Sequence, residues 1–507
     1  MYRFSFFVLI GLFSLNLSLL ANNLNLSAAS VDGNSVGFEI SWNNSWNFWQ
    51  QEGSHDAIWV FVKGKTLSGL WEHIDLKNES EYHSAMSPLL VEAVNDGKGV
   101  FIYCQNSGIY SIPSTSVSLA TFTDISNYIE IKIFGIEMVH IPQGEFYMGD
   151  GASISSIGGA GGSPLLISSE DEMDGNTLSI VNPNQVFDPQ PLSALIPSHF
   201  PKGFASFYVM KYEISQVQYV DFLNTLTYSQ QQTRTAVSPS SAAGTYAMVN
   251  PTQPDSLYRN GIAIVTSGSF SGNPAVFGIN ANGNAIFNET TDGLFRAANF
   301  LCWADISAYL DWAALRPITE MEFEKVCRGV ANEPVAGEFA WGSSSVTNAN
   351  SPLNDGTLFE VVSEVPIAGS GLANHGNIIA VDGWGLRGTL RNGFAAHEST
   401  GRLEAGASFY GVMELSGNVW EQTVIAAGEG VNFTGNMGDG ILDANGDANQ
   451  ASWCNPNTAF GVLLKGGGWG SAISAVGSWR DLAVSDRFYS HLNPLARKNT
   501  AGGRGGR

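Results

Sequence analysis

The sequence predicts an α+β chain low in regular secondary structure, opening with an antiparallel β-sandwich. Three observations carry that expectation. Residues 22–135 hold short runs rich in Val, Ile, Phe, Tyr and Trp, separated by turns bearing Gly, Asn and Asp. Residues 136–507 show only three short helical patterns among long polar stretches. Glycine is plentiful, at 57 of 507 residues, and charged residues are only 14% of the chain, below the roughly 25% of an average soluble protein. Coiled coils and helical arrays are thereby excluded.

The elements follow in order. Strands are expected at 35–42, 57–62, 99–104 and 128–134. In the last, Ile129, Ile131 and Ile133 alternate with Glu130 and Lys132, which places Ile inward and charge outward. Trp42, Trp46, Trp49, Trp59 and Trp71 offer either a sugar-stacking surface or core and rim packing, the commoner use of such residues. Stretches at about 150–200 and 229–292, rich in Gly, Ser, Asn and Pro, read as loop insertions. Between them a strand runs into a helix at 216–226, with Val217, Val220 and Leu223 on its buried face. Further helices are expected at 304–315 and Glu320–Arg328; Thr319 with Glu322 three residues on forms a capping box for the last.

Charge and targeting narrow the function. With 24 Lys+Arg against 46 Asp+Glu, the net charge is -22, a field that repels phosphate backbones and excludes nucleic acid as a partner. Residues 1–21 carry Arg3, an apolar run from Phe4 to about Leu20, and the small Ala21, and read as a secretory signal peptide. The mature protein is expected to be secreted or periplasmic/extracellular and not membrane-spanning after cleavage, since no later stretch holds the ~18 apolar residues a span needs. Cys104, Cys302, Cys327 and Cys454 form no C-x-x-C pair. One Cys302–Cys327 disulfide, or none, fits an oxidising compartment, and small buried thiols are the simplest reading.

Seven blocks then occur in a recognisable order: IPQGEFYMG at 141–149, YEISQVQY at 212–219, CWADISAYLDW at 302–312, RPITEMEFE at 316–324 closing on Arg328 and Gly329, FAWG at 339–342, YGVMELSGNVWE at 410–421, and KGGGW at 465–469 with Arg487, Pro494 and GGR at 502–504. Together they make residues 136–507 resemble the formylglycine-generating enzyme (sulfatase-modifying factor) family, which implies a C-type-lectin-like fold. Loops in such a fold need side-chain partners, and Glu213, Glu320 and Glu421 with Arg316, Arg328 and Arg487 suit charge-assisted bonds that pin them.

The resemblance also implies a chemistry, and the residues depart from it. Family enzymes oxidise a sulfatase cysteine to formylglycine with O2 and a copper ion held by two thiolates, at the third and eighth residues after the GGS block. Counted from Gly468, those positions are Ser471 and Val476. A hydroxyl is a hard, weak ligand for Cu(I) and valine has no donor, so copper is not expected and no catalytic residue is assigned. The iron-dependent sulfoxide synthases of the superfamily carry H-x-x-x-H-x-E, which none of the eight histidines matches; His199, His375, His397 and His491 stand alone in sequence.

A structural Ca2+ is implied at the GNxWE turn, through backbone oxygens of Ser416, Gly417 and Val419 with Asn418 and Glu421 nearby. Asp443, Asn445 and Asp447 alternate as in a calcium loop but lack the closing Glu, so an Asx turn is expected. The function expected is an exported, non-catalytic binding or structural module for a protein or glycan. The alternative is an oxidoreductase of the same superfamily using a different metal site.

Overall fold

The run Ala57-Ile58-Trp59-Val60-Phe61-Val62 is apolar at every position, the pattern of a strand covered on both faces. The computed structural model describes residues 23–48, 53–181, 192–249, 257–330, 333–377, 386–397, 399–471, 480–488 and 494–507, and in it this run is used in that way. The larger strands in chain order are β1 (Ser35–Asn47), β2 (Asp56–Lys65), β3 (Trp71–Ile74), β4 (Leu89–Ala93), β5 (Val100–Cys104), β6 (Gly108–Ala120), β7 (Glu130–Ile141) and β8 (Phe207–Met210). β1 and β6 form the centre of one sheet; the other runs β8-β7-β2-β5-β4, with β3 also on β2.

On β2, Ile58, Val60 and Val62 face the sandwich core with Val36, Ile40, Trp42 and Leu119. Ala57, Trp59 and Phe61 face a second core built with Phe134, Tyr208, Phe222 and Trp312. The second sheet is therefore the middle layer between the sandwich and the loop-rich body. β7 runs unbroken past residue 135 and pairs with β8 from Met138↔Met210 to Ile141↔Phe207.

One expectation needs correcting, and two open alternatives resolve to their simpler reading. Ile129 lies just before β7 and is 57% exposed, while Ile131 and Ile133 only rest against the sandwich core, because this end of the strand is at the sheet's margin. Trp42 and Trp59 are fully buried and belong to the two cores, so no sugar stacks on them. Trp71 lies beneath the ammonium groups of Lys65 and Lys132; Trp49 is outside the described residues. All four cysteines are buried and free, so Cys302 and Cys327 are not bridged.

The helices are α1 (Gln216–Leu223), α2 (Tyr228–Arg234), α3 (Trp303–Trp312) and α4 (Glu320–Arg328). α1 starts on a Ser215–Gln218 capping box and buries Tyr219, Val220, Phe222 and Leu223, whereas Val217 is only half-buried. α4 has the expected Thr319–Glu322 box and ends at Gly329, whose φ of 76° favours glycine. α2 and a hairpin, Ile262–Thr266 with Val276–Ile279, occupy the stretch expected to be an insertion, and the hairpin's Ile262, Ile264, Phe277 and Ile279 are buried in the large core. The 150–200 stretch is partly internal: Ser155 and Ile157 are buried and Arg487 N–H donates to Ile154 O at 3.0 Å.

The body closes with a small sheet of β9 (Trp420–Val424), β10 (Val462–Lys465) and β11 (Ala501–Gly502), in the order β10-β9-β11. Among the described residues no helix is long and apolar enough to cross a membrane. The expected signal peptide at 1–21 lies outside them.

Candidate functional site

The turn 415–421 meets the glycine turn after β10. Gly417 is at φ 103° and a Cβ there would come within 2.9 Å of Asn374 O, so only glycine lets the two loops touch. Asn418, at φ 58°, adopts a left-handed geometry that Asn tolerates. Its carboxamide knits three loops: Nδ2 donates to Glu213 Oε2 at 2.6 Å, and Oδ1 accepts from Leu390 N at 2.9 Å and Asn374 Nδ2 at 3.1 Å. Ser416 Oγ donates to Leu482 O at 2.7 Å, Gly417 N to Gly466 O at 2.8 Å, and Val419 N to Glu213 Oε1 at 2.9 Å.

Glu421 is held by Arg504, whose Nε lies 2.8 Å from both carboxylate oxygens. Glu213, Glu414 and Glu421 thus crowd around one guanidinium in a water-poor interior. Burial drives Glu213 well above the carboxylate range, with Glu414 adding to it and Arg504 opposing. Burial likewise pushes Glu414 up to about 7 against the pull of Arg504, the Gly393 N–H and Arg391.

At the first copper-thiol position, Ser471 is buried and turned into its own turn. Its Oγ accepts from Gly468 N at 3.0 Å, its N–H donates to Gly468 O at 2.8 Å, and its carbonyl accepts from Gly376 N at 2.8 Å. Asp481, hydrogen-bonded by Ser471 and flanked by Arg480, is pushed by burial up to about 6. Val476 and His491 lie outside the described residues.

The residues present do not fit copper. The thiolate is the metal-binding form, and burial pushes Cys302 and Cys454 up to about 12, with Cys327 higher still and Cys104 also raised. Cys302 caps α3, Cys327 lies in the last turn of α4, Cys454 lies beside Gly461, and Cys104 closes β5 in the sandwich. Among the described residues no group of three or more His, Cys, Asp or Glu is placed to hold a metal ion. His199 bonds Val431 O, and His397 pairs with Ser399. Asp443 accepts from Asn445 N and Asp447 N in the Asx turn expected there.

The acids and arginines expected to pin the loops find definite partners. Glu320 holds Arg487 at 2.7 Å and accepts from Ala426 N. Arg316 clamps Glu322, and Arg328 grips both Glu324 and Glu338. Glu324 also accepts from Gly149 N at 2.8 Å and Ser485 Oγ at 2.9 Å, tying the first block to α4. Sequence reasoning missed Glu414, Glu338 and the Asp305–Arg497 pair, both of whose bonds are 2.8 Å. Arg504 was visible only as part of the terminal GGR block.

A loop-rich α+β body pinned by buried ion pairs, with capped short helices and a glycine turn beside a GNxWE turn, defines the class. The family model for the sulfatase-modifying factor enzyme 1-like domain matches residues 134–492, and the chain belongs to that family. No curated protein matches it.

Proposed function

We propose that the chain is an exported, non-catalytic binding or structural module built on the sulfatase-modifying-factor fold, with a protein or glycan as partner. The observation that supports it best is Ser471. Where the family's first copper thiol would stand there is a hard hydroxyl, buried and engaged with Gly468 N. The second position is Val476, which has no donor. The test is incubation of the purified chain with Cu(I), O2 and a sulfatase-motif peptide: no formylglycine is expected by mass spectrometry, and any product overturns the reading. Metal analysis of chelator-free protein separates the alternative, because stoichiometric iron or copper would point to an oxidoreductase with another metal site. Export predicts that the secreted chain begins near residue 22, which N-terminal sequencing reads.

Calcium belongs to the proposal in a specific form. The buried acids Glu213, Glu414 and Glu421 lie close behind the turn, and oxygen-only donors suit a hard divalent cation. The main-chain oxygens of Ser416, Gly417 and Val419 would hold it. The side chains of Asn418 and Glu421 shape the turn through Glu213 and Arg504. Millimolar Ca2+ should then raise the melting temperature by about 3 °C or more, and an unchanged melting temperature would dismiss the site.

A further inference from the structure

A cavity of about 300 Å³ lies where β7 of the middle sheet passes over α1 and α3, so the sandwich and the loop-rich body each supply part of its wall. Phe134, Tyr309 and Trp312 form an aromatic side, with Phe134 and Trp312 rings edge to face at 4.9 Å and Tyr309 5.6 Å from Trp312. α1 contributes Gln218 and Asp221 to the same lining. Among the described residues the half-buried Asp221 carboxylate has neither a hydrogen-bond donor nor an ion-pair partner.

The charged groups around Asp221 do not neutralise it. Lys132 faces it from β7, but its ammonium is 3.7 Å from Glu130 and 5.1 Å from the Trp71 ring. Arg391 is engaged elsewhere, donating to the carbonyl oxygens of Glu360, Asn392 and Gly393. Glu137 adds a second acid to the lining, and the Tyr309 hydroxyl is kept protonated by burial and by Asp221 itself. Asn392 donates through Nδ2 to Glu213 O at 2.6 Å, while its buried Oδ1 accepts from nothing among the described residues.

The lining therefore combines aromatic rings with an acid, Asp221, that has no partner among the described residues. We propose that this cavity binds a small organic cation, a primary ammonium with a compact apolar body. Its N–H groups donate to Asp221, and its hydrocarbon part lies on Phe134, Tyr309 and Trp312. The site exists only because β7 is shared by both parts of the chain, and it stands whether or not the copper chemistry is absent.

Burial, opposed only by Lys132, holds Asp221 up to about 6, so affinity should fall as pH drops through that value and the carboxylate loses its charge. The experiment is titration calorimetry on the full mature chain with cyclohexylammonium, cyclohexanol and methyl glucoside at pH 7.5 and pH 5. The expected result is binding of cyclohexylammonium alone, at least tenfold weaker at pH 5 and at least tenfold weaker in Asp221→Asn. That variant should melt no lower than the wild type at pH 7.5, because it removes an unpaired charge, and this melting curve separates lost binding from lost folding. Absence of cyclohexylammonium binding, equal binding by Asp221→Asn, or equally tight binding of cyclohexanol or the glucoside would overturn the proposal.

Discussion

Arg504 joins the end of the chain to Glu421: its Nε is 2.8 Å from each carboxylate oxygen and its Nη2 is 2.7 Å from Oε1, with both side chains almost wholly buried. The same guanidinium donates to Met210 O and Lys211 O at 3.1 Å and to Met413 O at 2.6 Å. One residue thus fastens β8, the 410–421 block and the terminal strand, in a region where regular hydrogen-bond ladders are short.

Arg504→Met should be severely destabilising. It leaves Glu421 without a counter-charge and three carbonyl groups without a donor, and breaking a buried pair from one side costs about 3–5 kcal/mol. Arg504→Lys keeps the charge but loses the forked geometry, so a smaller loss is expected. Urea denaturation of the two variants checks the order; equal stability of Arg504→Met and wild type would refute it.

Trp59 carries a second prediction. Its Nε1 donates to Ala313 O at 2.9 Å, its ring is fully buried, and the Arg507 guanidinium sits 4.1 Å from the ring centroid. Trp59→Ala should cost about 3–5 kcal/mol. Because β2 is buried on both faces, the sandwich and the loop-rich body should still melt as a single calorimetric transition. Two transitions, with only one shifted, would show that the layers are energetically separate.

These two residues also mark what the sequence made legible. β2 could be placed from its uninterrupted apolar run, and α4 from Thr319 and Glu322, because both signals are local. α2 carried only half of such a signal: Thr227 and Gln230 form a capping box like that of α4, but YSQQQTR has no apolar period, and the helix is held by Gln231, which bonds Leu223 O, Ala275 O and Ala275 N. The turn at 415–421 was recognisable as a block, yet the partners of its acids were not. Glu213, Glu421 and Arg504 are distant in sequence, and which carboxylate takes which guanidinium depends on loop closure that no periodicity encodes.

Asp486 should make stability depend on pH. It is buried, its Oδ1 accepts from Phe488 N, and Oδ2 is without a partner among the described residues. Burial, aided by Asp481, pushes it up to about 7. For an acid raised in the folded state, folding favours the protonated form, so its contribution is most favourable below about pH 4 and is lost as pH rises toward 7. At about 1.4 kcal/mol per pKa unit the ceiling is about 4 kcal/mol. Asp486→Asn should therefore be more stable than wild type at pH 8 and nearly equal to it at pH 4, by urea denaturation at the two values. A variant less stable at pH 8 would contradict the assignment.

Restoring sulfur at the emptied positions is the sharpest probe of the missing copper chemistry. In the wild type every thiol is buried with its ionisation pushed upward, Cys302 and Cys454 up to about 12, so few thiolates exist at neutral pH to meet a soft metal. Ser471→Cys alone supplies one soft donor and removes the hydroxyl that caps Gly468 N, so it should lose stability, by about 1 kcal/mol, and gain little copper affinity. Ser471→Cys with Val476→Cys supplies the pair and should take up one equivalent of Cu(I) in competition with a chromogenic chelator, while the wild type takes up none. Stoichiometric Cu(I) uptake by the wild type would mean that thiols from elsewhere reach the metal. Failure of the folded double variant to bind would mean that more than the two sulfur atoms has changed at this site.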